Sequence, residues 1–269
     1  MIPKIIHYCW FGGNPLPDDV KRYLATWKKY CPDYEIREWN EHNFDWQQNA
    51  YCREAYDAKK WAFVTDYVRL KVLYDYGGIY MDTDVEVLQS LDPLLQYNAF
   101  SGYESPDAIP TGTMGACAQN EWIGMLLHDY DNRHFRLSDG SFDTTTNVTA
   151  ITNATVAAYS VQLNGGPTSF SDNMILLPFE ALCAKSLQTG QICATDQTYT
   201  VHHFKASWHT AHQRHVEWIC RHARTLLGNH WGDIITKPLR WEVGLRLRLQ
   251  QYGIKKTCLI YWKKIKGEK

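Results

Sequence analysis

Apolar and polar positions along the chain fall into blocks whose spacing predicts strand, helix and strand in succession. Ile2 to Trp10 is an apolar run closed by Gly12-Gly13 and reads as a first buried strand. Asp18-Asp19 open a helical pattern that runs to Tyr30 and is ended by Pro32; acidic residues at a helix start suit the positive end of its dipole. Tyr34 to Trp39 alternates and predicts a second strand, which completes the β-α-β rhythm of a parallel sheet. Residues 49–58 predict a short helix. Trp61 to Tyr76 predicts a stronger one, with Trp61, Val64, Val68, Val72 and Leu73 at helical spacing and Gly77-Gly78 as its stop. Ile79-Tyr80-Met81 is then a short strand that delivers Asp82-Thr83-Asp84, and Val85 to Leu88 continues extended.

Beyond Pro93 the pattern weakens. Ala99–Gly102 and Met114–Ala118 read as strands, Glu121–Tyr130 as a helix and residues 136–147 as loop. Val148–Leu163 is helical in pattern, Asn164–Pro167 is a turn, and Met174–Leu177 and Tyr199–Phe204 are further strands. From Gln213 onward the pattern is helical, interrupted at Pro238 and Gly253. The expected organisation is an α/β domain over residues 1–212 and a helical extension over 213–269.

Composition narrows the class. With 45% apolar and 21% charged residues in 269, the chain has the makings of a folded soluble enzyme and not of a disordered tail. Eleven Trp and seventeen Tyr supply flat faces that suit sugars and bases, and equally an aromatic core. None of the eight cysteines lies in a C-x-x-C pair, which argues against a structural zinc site; their scatter reads as reduced thiols in a cytosolic protein. The N-terminus lacks a basic region followed by a long apolar stretch, so no signal peptide is expected. No window approaches the roughly 20 apolar residues that span a bilayer.

The net charge of −1 hides an asymmetry. From Lys237 to the end there are ten Lys or Arg against two Asp or Glu, while the rest of the chain is acidic. Residues 238–266 interleave these cations with Trp241, Leu245, Tyr252, Ile260 and Trp262. A basic, aromatic, amphipathic stretch suits an anionic membrane surface, or a helix that packs on the body with a solvated basic face. No nucleic-acid motif is present.

The sharpest local feature is the strand-delivered D-x-D. Two carboxylates at i and i+2 in a bend after a strand converge readily on one hard cation. Such a cation neutralises a leaving diphosphate, which is the electrostatic task of sugar transfer. A solvated acidic turn and a haloacid-dehalogenase-type phosphatase are the competing readings. The phosphatase reading places D-x-D after a first strand and needs a downstream G-D-x-x-x-D; here two earlier strands and the helices that follow them precede the motif, and no convincing partner follows. In the preceding helix Asp66 and Arg69 are three apart and share a face, as an ion pair or as donor contacts. His202-His203 lies on a strand end, so the two side chains point opposite ways and only one faces a given site.

The stretch Ala62-Phe-Val-Thr-Asp66-Tyr-Val-Arg69 through Tyr74-Asp-Tyr-Gly77-Gly78-Ile-Tyr80-Met-Asp82-Thr-Asp84-Val85 resembles the signature of the DXD-containing sugar transferases. That family includes bacterial capsule and O-antigen transferases and yeast Golgi initiating mannosyltransferases, with the clostridial glucosylating toxins as more distant relatives. The opening Ile2-Pro-Lys-Ile-Ile-His7-Tyr-Cys-Trp10-Phe-Gly12 and the late His202-His-Phe-Lys-Ala-Ser207-Trp208 are similar to it as well. The resemblance is strong over residues 1–90 and weak over 90–200.

It implies an α/β fold of the GT-A type, Rossmann-like, with the donor at the carboxyl ends of the strands. It implies a Mn2+ or Mg2+ ion and a nucleotide-sugar donor, with a UDP-hexose (galactose, glucose or an N-acetylhexosamine) preferred. Trp10 would stack on the base with Phe11 beside it. Asp66 and Arg69 would contact the donor, Asp84 would ligate the metal, and Asp82 would serve metal, ribose or sugar. His202, with His203 as fallback, would be a metal or diphosphate ligand, and Ser207 and Trp208 would lie on a loop over the diphosphate. Thr111-Gly-Thr sits where such enzymes commonly carry an Asn-containing segment near the sugar. Asp172-Asn173 reads as a turn cap, or as a group near the anomeric carbon.

The function so implied is retaining hexosyl transfer to a lipid-linked or other saccharide acceptor in bacterial surface polysaccharide synthesis. Its place would be the cytoplasm, peripheral on the inner face of the plasma membrane. A GDP-mannose-dependent enzyme, a toxin-like protein glycosyltransferase and a non-catalytic sugar- or membrane-binding relative are the alternatives.

Overall fold

The computed structural model describes residues 1–205 and 210–266. Two compact units are present. The larger holds residues 1–135, 144–186 and 191–205; the smaller holds 136–143, 187–190 and the chain from 206 onward.

The larger unit is built on a seven-stranded mixed sheet. Its strands are β1 (Ile5–Cys9), β2 (Glu35–Trp39), β3 (Gly78–Met81), β5 (Ala99–Gly102), β6 (Thr113–Ala116), β7 (Thr168–Ser171) and β8 (Met174–Leu177), in the order β2-β1-β3-β6-β5-β8-β7. The β2-β1-β3 half is parallel, with Ile6 opposite both Ile36 and Ile79. Strand β6 then runs antiparallel between β3 and β5, and β8 pairs parallel with β5. A separate two-stranded ladder joins β4 (Val85–Val87) to β9 (Thr200–His202). Helices α1 (Asp18–Tyr30), α2 (Ala50–Asp57), α3 (Trp61–Tyr76), α4 (Glu121–His128), α5 (Asn147–Tyr159) and α6 (Phe179–Leu182) complete the unit. This is the expected α/β class: a parallel half-sheet whose carboxyl edge carries Asp82 and Asp84.

Two devices hold that edge in place. Trp27 of α1 is fully buried against Ile6, Tyr8 and Ile79, and its indole N–H donates to the Val85 carbonyl at 2.8 Å. The second device is the Gly77-Gly78 pair. Gly77 ends α3, and Gly78 takes φ 109° while a Cβ there would lie 2.7 Å from the Ile5 carbonyl oxygen and 2.9 Å from His7 Nε2. Only glycine satisfies both the backbone and the space. Beside it, buried His7 approaches the Gly77 carbonyl at 2.7 Å through Nε2 and meets the Trp39 indole N–H at 3.0 Å through Nδ1. Burial pushes the His7 imidazole down to about 4, so it is neutral here.

Helix α3 buries Val64, Val68, Leu70 and Leu73, and with them the polar Asp66 and Arg69. A helix covered on most sides must satisfy any charge it carries from within the protein.

In the smaller unit one helical stretch, α7 (Ala211–Lys266), is broken at Gly228 and Gly253, where φ is 75° and 70°. The break expected at Pro238 does not occur; it falls at Gly228 instead. Left-handed backbone stops a helix outright, whereas a proline removes one hydrogen bond and keeps a helical φ. Strand β7 and helix α6 were not anticipated by the pattern. All eight cysteines are free thiols. Among the described residues, no helix is long and apolar enough to cross a membrane.

Candidate active site

The short β4–β9 ladder assembles the site. Val85 pairs with His202, so the residue after the D-x-D faces the end of the last strand. His202 Nε2 comes to 3.2 Å from Asp84 Oδ1 and 4.0 Å from Asp82 Oδ2. The three side chains each offer one ligand atom, and these atoms lie within 4.8 Å of one another.

Each carboxylate has one oxygen tied down and the other facing the group. Asp82 Oδ1 accepts from the Tyr80 hydroxyl at 2.9 Å and from Arg69 Nη1 at 3.2 Å. Asp84 Oδ2 accepts from the Lys205 backbone N–H at 2.8 Å. Asp82 Oδ2, Asp84 Oδ1 and His202 Nε2 are therefore the convergent atoms. Two hard oxygens and one imidazole nitrogen suit Mn2+ and related divalent ions, and the tethered second oxygens fix how the ligands point.

The electrostatics agree with the geometry. Burial alone would raise the Asp84 carboxyl, but the adjacent His202 and the Lys205 N–H hold it down at about 2. Burial would lower His202, and Asp84 overrides it, raising the imidazole well above its ordinary range. The two shifts share one cause, the attraction between the His202 imidazole and the Asp84 carboxylate.

Arg69 is the organiser of the site. Its side chain is 5% exposed, and its donors reach Asp66 Oδ1, Asp82 Oδ1, the Thr65 hydroxyl and carbonyl, and the Thr111 carbonyl, the last at 2.8 Å. The guanidinium also lies over the Tyr80 ring, 4.7 Å from its centroid. Its hydrogen-bonding capacity is spent on the protein, so it aims Asp82 and Asp66 and does not reach outward. Asp66 is buried, and burial pushes its carboxyl up to about 6 against the pull of Arg69.

The Thr111-Gly112-Thr113 segment has a structural explanation. Thr111 gives its carbonyl to Arg69, and the Gly112 carbonyl accepts from the Asp82 N–H at 2.8 Å. A Cβ at Gly112 would lie 2.8 Å from the His202 ring, so the glycine leaves room for the imidazole.

Other expected residues fall out as follows. His203 turns away: its Nε2 meets Glu86 at 2.8 Å and its ring stacks on Tyr23, 4.7 Å between centroids. Trp10 follows β1 at the same carboxyl edge, half-buried, with its indole N–H on the Asn14 carbonyl. Phe11 is buried, its ring edge-on to Tyr56. Ser207 and Trp208 lie outside the described residues. Asp172-Asn173 forms the β7–β8 turn, with Asn173 bonded to the Gln96 carbonyl, at the opposite edge of the sheet from Asp82.

Two residues were missed. Asn147, at the start of α5, is 5% exposed; it lies beside Asp66 and favours its ionised form, yet neither amide atom makes a well-aligned hydrogen bond. An unsatisfied buried amide is costly unless it finds a hydrogen-bond partner. Glu104, in the turn after β5, is a half-buried carboxylate raised by burial and within electrostatic reach of His202 and Asp82. Nothing local in sequence marks either; both arrive by tertiary placement.

The family described as "glycosyltransferase sugar-binding region containing DXD motif" matches residues 17–101, which hold Asp66, Arg69, Asp82 and Asp84. Inositol phosphoceramide mannosyltransferase 3 of Schizosaccharomyces pombe is 34% identical over 146 residues, covering 50% of this chain and 40% of that protein. A mannosyl phosphorylinositol ceramide synthase of Saccharomyces cerevisiae is 27% identical over 127 residues, covering 46% of this chain and 33% of that protein. The chain thus spans less than half the length of these curated relatives. Among solved structures, the PaToxG glycosyltransferase aligns with a TM-score of 0.46 at 20% identity, covering 58% of this chain and 68% of that one. Residues 17–101 of this chain are thus similar to the DXD-containing sugar-binding region of glycosyltransferases.

Proposed function

We propose that the chain is a metal-dependent hexosyltransferase that moves a sugar from a nucleoside diphosphate to a saccharide acceptor. The observation that carries this reading is the convergence of Asp82 Oδ2, Asp84 Oδ1 and His202 Nε2, with the remaining carboxylate oxygens tied to protein donors. Asp82, Asp84 and His202 would hold a divalent cation, which supplies charge neutralisation for the leaving diphosphate.

The chain's own residues do the rest. Arg69 and Tyr80 hold Asp82 at a fixed angle, so no reorganisation is needed as charge develops. Asp66 and Asn147 form a buried polar wall suited to sugar hydroxyls. Trp10, at the edge of the same half-sheet, offers a face for the base. In the transfer, the bond from the anomeric carbon to the diphosphate oxygen breaks, a bond to the acceptor oxygen forms, and the acceptor hydroxyl passes its proton to the departing diphosphate.

For the donor we keep a UDP-hexose as the first reading. Mannosyl transfer from GDP-mannose is the second, favoured by the names of the yeast relatives. Those names also describe a phosphoceramide acceptor, which supports a lipid-linked acceptor for this chain. The deciding experiment is calorimetric titration with UDP, GDP and their sugars, with and without Mn2+. Metal-dependent binding of one nucleotide series supports the proposal and selects the donor; binding of neither ends it.

A further inference from the structure

The helical unit carries an apolar surface that the donor site does not use. After the break at Gly228, α7 resumes and packs one side closely on the helix before it. Thr236 is buried, and a Cβ at Gly232 would lie 2.7 Å from the Arg224 backbone. At helical spacing the other side presents Trp231, Ile234, Ile235, Pro238 and Trp241. These are water-facing: Trp231 is 61% exposed, Ile235 59% and Trp241 58%. Leu239 flanks the stripe, and Leu226 and Leu227, just before the break, are exposed as well. A soluble surface scatters such residues singly; a contiguous row of two indoles and two isoleucines marks a face that is covered in use.

We propose that this face lies in the headgroup region of an anionic lipid bilayer. Charge decides between the occupants. The row is bordered by Lys237, while Asp233 within it is paired with Arg224 and Arg240, and it leads into a stretch with ten Lys or Arg against two Asp or Glu from residue 237 onward. A two-fold interface with a second copy would set this basic stretch against itself, at a repulsive cost. An anionic membrane satisfies both halves at once: isoleucines enter the acyl boundary, indoles sit at the headgroup level, and Lys and Arg meet phosphate. The helix would lie along the surface, since none of the described helices is suited to cross a bilayer. The contact thus lies earlier in the chain than the basic stretch over 238–266 suggests. The binding face is centred on residues 231–241, and the basic tail beyond it supplies charge and not insertion.

The test uses the whole chain without nucleotide, so it stands apart from the donor reading. Co-sedimentation is measured with vesicles of phosphatidylcholine alone and of phosphatidylcholine mixed with phosphatidylglycerol, at low and high salt. The parent is expected to bind the mixed vesicles, to bind neutral vesicles weakly, and to release as salt rises. Trp231→Ala with Ile235→Ser is expected to weaken binding by at least about tenfold, given the apolar area removed. Circular dichroism and the melting temperature should stay unchanged, because both side chains are exposed. Equal binding by parent and variant, or no binding to mixed vesicles, overturns the proposal. So does a parent dimer, seen by light scattering, that the variant converts to monomer. The single variant Ile235→Asp gives an independent check and is expected to lose binding as well.

Discussion

The donor edge and the C-terminal helices break the ordinary partition of residues in opposite directions. At the edge, Asp66 and Arg69 are buried and Asp82 and Asp84 half-buried, and each of these charged groups is met by a hydrogen-bond partner within the fold. In the helices, Trp231, Ile235 and Trp241 stand in water. The first exception is maintained by the rest of the domain and is therefore rigid. The second has no such support within its own unit and awaits a surface. Departures of this kind are where a sequence encodes activity instead of stability.

Breaking the buried network should cost most. Arg69→Met leaves Asp66 and Asp82 without their shared counter-charge and should destabilise by about 3–5 kcal/mol in urea denaturation; a loss under about 1 kcal/mol would mean the carboxylates are solvated after all. Next, Asp84→Asn should cut metal-dependent donor hydrolysis by about 100- to 1,000-fold, and unchanged turnover would remove Asp84 from the site.

Acid should come third. Unfolded His7 binds a proton near pH 6.5, while the buried imidazole resists until about pH 4. Between those values the unfolded chain holds more protons, so stability falls as the pH drops, by about 3 kcal/mol in all. A flat stability profile over that window in His7-containing protein, or the same slope in His7→Asn, would contradict this. Gly112→Ala should be gentler: displacing the His202 ring is expected to weaken Mn2+ binding by about 10- to 100-fold with little change in melting. At the small end, Trp231→Ala should shift stability by less than about 0.5 kcal/mol. A larger effect would show that the indole is packed within the protein, and the contrast between the two regions would collapse.

Legibility in the sequence followed the length and punctuation of each element. Helices α1 and α3 were bounded correctly because Asp18-Asp19, Pro32 and Gly77-Gly78 mark their ends and the apolar spacing between is long. Strands β3 and β5 were short but wholly apolar or bounded by turns. What the pattern could not carry was long-range placement. Three-residue strands such as β9 have too few positions to show alternation, so the pairing that brings His202 to Asp84 is invisible until the fold is seen. The same holds for Asn147 and Glu104, which no local motif announces. Pro238 misled for the opposite reason: a strong local signal was overridden, and the true stop was a glycine in an otherwise helical run.

The β4–β9 ladder has a kinetic corollary. Its register joins Val85 to His202, closing a long loop with only three residues on each side. Closing such a loop costs chain entropy before any contact rewards it, so this ladder belongs to the late steps of folding. The three ligand atoms meet only when it has formed. An ion that binds them should therefore act as a latch, slowing unfolding and raising the melting temperature in proportion to the logarithm of its concentration above the dissociation constant.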